Sequence, residues 1–113
     1  MNYQTTADTF NRIRRMQLFM RDKVNYCKQS DIADGHFEFV ECLENYINEK
    51  WLLNKYMSKN GVCQCGNFIE LVEYPTYGHG LAIIRYDPYR PYTTDNVFIT
   101  CTECQYYMYE NND

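Results

Sequence analysis

Apolar residues at Ile13, Met16, Met20, Val24 and Cys27 recur every three or four positions and predict an amphipathic helix over residues 6–29. Thr6 or Asp8 can cap its start, and Ser30-Asp-Ile-Ala-Asp-Gly35 breaks the period with turn formers. A second helical pattern covers 36–59. Phe39, Val40, Leu43, Tyr46, Ile47, Leu53 and Met57 share one side, Glu38, Glu41, Asn45, Asn48 and Glu49 the other, and Asn60-Gly61 is the stop. Two such helices joined by a short turn bury their stripes against each other, which predicts an antiparallel hairpin.

Beyond Gly61 the period changes from helical to strand-like. Phe68–Tyr74 alternates, with Phe68, Leu71 or Val72, and Tyr74 as inward candidates. Leu81–Tyr86 is a second strand, reached through the turn formers of Pro75–Gly80, and Val97–Thr100 a third, reached through the Pro-, Asp- and Asn-rich stretch 87–96. Gln105–Tyr109 is expected as a short partner strand. The pattern therefore predicts an α+β chain, with a helical hairpin over 1–60 packed on a β-rich lobe over 61–113.

At 113 residues this is one compact unit or two small lobes sharing a core. A lobe of about 50 residues has too little interior to be held by apolar burial alone, so a covalent or metal staple is expected there. The start of the chain lacks the apolar segment of a secretory signal, and no apolar run approaches the roughly 20 residues that span a bilayer. An intracellular setting, with reduced thiols, is the expectation. Residues 1–60 carry nine Lys/Arg against eight Asp/Glu, while residues 61–113 carry two against seven. The second half is thus too acidic to be a phosphate-binding surface. A high content of Tyr, Asn and Ile resembles the coding bias of AT-rich genomes, as in many phages and viruses.

Six cysteines sharpen the picture. Cys63-Gln-Cys65 and Cys101-Thr-Glu-Cys104 form two close pairs in turn-like sequence, with 35 residues between them. Two such pairs bracketing a β-rich insert predict a structural zinc site in which four thiolates close the tetrahedral shell and leave no open position. Cys27 lies in an apolar stripe and Cys42 near the edge of one, as ordinary buried thiols do.

The run Asn96-Val-Phe-Ile-Thr-Cys-Thr-Glu-Cys-Gln-Tyr-Tyr-Met-Tyr109 resembles the last strand and knuckle of the zinc ribbons in transcription elongation factors and small RNA polymerase subunits. The resemblance implies a ribbon built on Cys63, Cys65, Cys101 and Cys104, and makes transcription machinery the first partner class. The chain departs from that pattern in its Cys-x-Cys first pair and in Gln105 where Gly is usual. Tyr92-Thr93 stands where the elongation factors carry the acidic pair that enters the polymerase. Ribbon architecture is implied; stimulation of cleavage is not.

Other candidates carry less. His36-Phe-Glu38 with Cys101-Thr-Glu-Cys104 spells the His-x-Glu and Cys-x-x-Cys of zinc nucleobase deaminases. Yet Thr100 stands where that family has Pro, and Cys63 and Cys65 would have no role. His79, between Gly78 and Gly80, could replace a thiolate or act as a base, although a histidine in such a turn is more simply exposed. Neither a catalytic triad nor a phosphate-binding loop is present in the sequence, so a non-catalytic protein is expected. On the first helix Arg14, Arg21 and Lys28 lie seven apart on one face and could track a phosphate backbone, or else flank the core stripe and meet acidic residues of the second helix. Tyr77, Tyr89, Tyr92 and Tyr107 belong to a tyrosine-rich set in the acidic half, suited to contacting a protein. The sequence thus predicts a structural Zn2+ centre and a docking protein, with nucleic-acid binding through the first helix as the alternative reading and an unrecognised enzyme as a further one. The amphipathic helices can also pair between two chains as readily as within one, giving a homodimer.

Overall fold

In a computed structural model the described residues are 3–35, 44–72 and 78–110. Among these residues the order is helix, helix, two strands, helix: α1 (Tyr3–Ala33), α2 (Glu49–Ser58), β1 (Leu81–Arg85), β2 (Val97–Cys101) and α3 (Thr102–Glu110). This is the expected α+β arrangement. Among the described residues, no helix is long and apolar enough to cross a membrane.

The α1 stripe buries only its C-terminal part. Met20, Val24 and Cys27 are buried, Met16 is half-buried, and Ile13 is exposed. One turn past Cys27 the same row carries Asp31, fully buried. The second helix is shorter than expected. Asn48 adopts extended geometry and its side chain accepts the Trp51 N–H, so the helix begins at Glu49. Tyr46 and Ile47 therefore enter the core from an extended segment, tied to the far loop through the Ile47 N–H to the Tyr92 carbonyl. Leu52 is the buried residue of α2, while Leu53 is half-buried and Met57 exposed. The expectations on residues 36–43, among them Cys42 and the His-x-Glu motif, fall outside the described residues.

Antiparallel β1 and β2 pair from Leu81 opposite Cys101 to Arg85 opposite Val97. Their connection is organised by Asn96, whose buried carboxamide is directed at the carbonyls of Asp87, Arg90 and Pro91 and accepts the Asp87 N–H. Among the described residues, two expected strands are absent from this sheet. Phe68–Tyr74 contributes, among the described residues, only the bridges Val62–Phe68 and Glu70–Gly80, and its burial runs in the opposite phase, with Ile69 in and Phe68 and Val72 out. Gln105–Tyr109 is helical, because the chain turns into α3 as soon as Cys101 is passed.

A polar knot joins α1 to the rest. Asp31 accepts from the Tyr46 hydroxyl at 2.6 Å and the Tyr92 N–H at 3.1 Å, and lies 3.5 Å from the Arg85 guanidinium. Arg85 stacks on the Tyr92 ring, 4.5 Å from its centroid. One carboxylate so fastens the end of α1, the 44–47 segment, β1 and the connecting loop. Burial and the hydrogen bond to Asp31 push the Tyr46 hydroxyl well above its ordinary range, keeping it the donor.

Candidate metal centre

The first knuckle is shaped by the end of α2. Asn60 and Gly61 both take positive φ, at 55° and 69°, reversing the chain. A Cβ on Gly61 would stand 2.7 Å from the Tyr56 hydroxyl oxygen, so both backbone angle and space require glycine here. A small loop follows, closed by the Cys63 N–H to the Asn67 carbonyl and the Gly66 N–H to the Cys63 carbonyl, each 2.9 Å. It points the Cys63 and Cys65 side chains towards the junction of β2 and α3.

At that junction Cys101 ends the strand and caps the helix. Its position in β2 is not hydrogen-bonded to β1, since the bonded pairs flank it, as at Gly80–Thr102. Its N–H therefore turns outward and donates to Cys63 Sγ at 3.3 Å. Its own sulfur accepts the Cys104 N–H at 3.5 Å, in the manner of an N-cap. This capping explains why strand-favouring tyrosines after Cys104 lie in a helix.

The four sulfurs converge. Cys63 Sγ is 3.7 Å from Cys104 Sγ and Cys65 Sγ 3.8 Å from Cys101 Sγ, and all four lie within 4.8 Å of one another. A tetrahedron of zinc–sulfur bonds about 2.3 Å long has edges of about 3.8 Å, so the donor set fits such an ion. None of the four is in a disulfide. Cys63 and Cys101 are buried, Cys104 half-buried and Cys65 exposed.

Polar neighbours tune the sulfurs. Burial opposes ionisation of Cys63, yet the Cys65 and Cys101 N–H groups and the Thr100 hydroxyl, 3.2 Å away, outweigh it and hold the thiol at about 6. Cys65 is likewise held below its ordinary value by the Asn67 N–H and carboxamide, the latter 3.3 Å from the sulfur. Burial raises Cys101, and it raises Cys104 to about 12. Hydrogen-bond donors around the sulfurs thus favour thiolate and burial opposes it, and a cation bound by the set would replace the protons that burial retains.

Compared with family models, with curated proteins and with solved structures, the chain gives no match. The four clustered cysteines of the C-terminal region are compatible with a metal-binding site, and that is the level at which the structure bears on the ribbon resemblance.

The remaining predicted residues are scattered. His79 is not among the clustered ligands. It is largely buried rather than exposed, with Nδ1 3.2 Å from Glu103 Oε2 at an angle that makes no hydrogen bond. Cys27 is a buried thiol raised to about 12 by burial and by Asp31. Arg14, Arg21 and Lys28 are all exposed along α1, and among the described residues none is ion-paired with a carboxylate. Of the tyrosines, Tyr89 is 86% exposed and Tyr107 is also exposed, whereas Tyr92 is half-buried against the core beneath Arg85. Tyr77 lies outside the described residues. Thr100 and Asn67 were not singled out from sequence; the available signal was a hydrogen-bonding side chain within two positions of a ligand cysteine.

Proposed function

We propose that the chain is a zinc-binding, non-catalytic regulator or adaptor whose acidic, tyrosine-bearing lobe docks on a protein partner. The observation that carries this reading is the four-sulfur cluster, with edges of 3.7 and 3.8 Å. A shell filled by four thiolates holds structure together and leaves the ion no place for substrate or water. Exposed Tyr89, Tyr106 and Tyr107 supply amphipathic contact area on the same lobe. The resemblance of residues 96–109 to elongation-factor and polymerase-subunit ribbons makes transcription machinery the first partner to test, and the composition fits a phage or virus source.

The test has two parts. Elemental analysis of the purified chain should give one zinc per molecule, lost in Cys63→Ser and Cys101→Ser. Surface-immobilised protein should then bind purified RNA polymerase, with Tyr89→Ala weakening binding and Arg14→Ala/Arg21→Ala leaving it unchanged. A metal-free chain in reducing buffer would remove the basis of the proposal, and a zinc-loaded chain indifferent to polymerase would remove its transcription part.

The exposure of Arg14, Arg21 and Lys28 on one face of α1 favours a second reading, nucleic-acid binding. That reading requires affinity to collapse between low and moderate salt, and the same Arg→Ala pair to abolish it.

A further inference from the structure

The N-terminal half of α1 extends past the core with its apolar stripe continuing. A 31-residue helix is about 46 Å long, close to the 50 Å maximum dimension of the molecule. Phe10 is 66% exposed and Ile13 47%, although Ile13 belongs to the row that buries Met20, Val24 and Cys27. At 100° per residue Phe10, Ile13 and Met16 fall within an arc of about 120°, with Arg12 on one rim and Arg14 and Arg21 on the other. Next to the arc a groove of ≈ 510 Å³ opens between α1, Tyr56 of α2 and the 71–72 pair, and Arg12, Arg15 and Asp8 line it with Met16. Exposed Val72 extends its apolar side. Among the described residues no ion pair engages Arg12, Arg14, Arg15 or Arg21.

Those features select an occupant. Residues 3–21 carry four arginines and one aspartate, so a second copy laid along the same face would bring two positive surfaces together. A phosphate backbone would answer the arginines but leave Phe10 and Ile13 in water. A helix with an apolar ridge bordered by carboxylates answers both. We propose that the N-terminal half of α1, with the adjoining groove, is a docking face for an acidic amphipathic helix of a partner protein. The ridge of that helix packs on Phe10, Ile13 and Met16, and its carboxylates meet Arg12 on one border and Arg14 on the other. This is the helix-in-groove mode of recognition. It goes beyond the docking role of the tyrosine-bearing lobe and stands on different residues.

The experiment uses the full metal-loaded chain and a fluorescein-labelled helical peptide of about 20 residues, with Leu along one face and Glu on both borders. Saturable binding by anisotropy is expected, with protection from hydrogen exchange over 6–18. Replacing the peptide's Glu by Lys, or its Leu by Ser, should weaken binding at least about tenfold. Arg12→Glu/Arg14→Glu should transfer the preference to the Lys peptide, and Phe10→Ser/Ile13→Ser should abolish binding of both. These side chains are exposed, and circular dichroism with metal content verifies that each variant is folded. No saturation by about 1 mM, equal affinity for the Glu and Lys peptides, or an affinity unmoved by charge reversal overturns the proposal. So does a DNA duplex that outcompetes the Glu peptide for these arginines, or sedimentation showing a dimer that Ile13→Ser dissociates.

Discussion

Replacing Asp31 should cost more than any other single polar change outside the metal centre, and two substitutions divide that cost. Among the described residues, the hydrogen bonds from the Tyr46 hydroxyl and the Tyr92 N–H end on Oδ2, while Oδ1 faces Arg85. Asp31→Asn can keep an oxygen at the first position, but it sets an amide donor against the guanidinium at the second. Arg85 retains Asp34 at 3.4 Å, a half-exposed partner, so the ion-pair loss is partial. We expect about 2 kcal/mol for Asp31→Asn, below the 3–5 typical of a fully severed buried pair. Asp31→Ala also strands two buried donors, each worth about 1 kcal/mol or more, for a total of about 4 kcal/mol. Against a whole-domain stability of about 5–15 kcal/mol, that is a large fraction. Urea unfolding of the metal-loaded chain, followed by tryptophan fluorescence at Trp51, measures both. Equal losses for the two variants would refute the division into ionic and hydrogen-bonded parts, and losses under about 1 kcal/mol would refute the fastening role.

Other expectations follow from the knuckles and caps. Gly61→Ala combines a positive φ with the clash on Tyr56 and should cost about 2–3 kcal/mol in the same unfolding assay. Asn48→Ala removes the acceptor for the Trp51 N–H and should cost about 1 kcal/mol, with reduced helicity by circular dichroism. Thr100→Val deletes the hydroxyl donor to Cys63 Sγ and should weaken metal binding about 10- to 100-fold in a chelator competition. For the metal-free chain, Cys63 falls from 9.0 to about 6 on folding, so its contribution is present above pH 9 and is lost as pH falls to 6. Cys104 rises from 9.0 to about 12, so its contribution is present below pH 9 and is lost as pH rises towards 12. Apo stability, measured by thermal melts across pH, should therefore peak near pH 9, and a monotonic profile over that window would contradict the sulfur environments described.

The first helix, the β1–β2 pair and the pairing of the four clustered cysteines were legible because each is announced by short-range spacing. Met20, Val24 and Cys27 repeat at the helical period, and two close thiol pairs have few uses in a reduced chain. What was illegible depends on long-range packing. Asn48 could be read as one more polar residue on a helix face, yet as a cap it divides that helix from the extended Tyr46–Ile47 segment. Tyr106, Tyr107 and Tyr109 favour a strand by propensity, but the Cys101 sulfur capping α3 overrides it. Asp31 looked like a turn former after the first helix, because its partners Arg85 and Tyr92 are more than fifty positions away. Tyr92 looked like interface for the same reason, and the Arg85 stacked on it gives it an internal task.

Asn96 has a consequence for recognition. By tying three carbonyls and one N–H to a single buried carboxamide, it freezes the loop that carries Tyr89 before anything approaches. A ring presented on a loose loop forfeits conformational freedom when captured; a ring on this loop has already forfeited it during folding. Whatever meets Tyr89 therefore meets a nearly rigid projection, and association there should be limited by shape match more than by ordering. By the same logic a change at Asn96, a residue no partner could touch, would erode affinity by letting that projection wander.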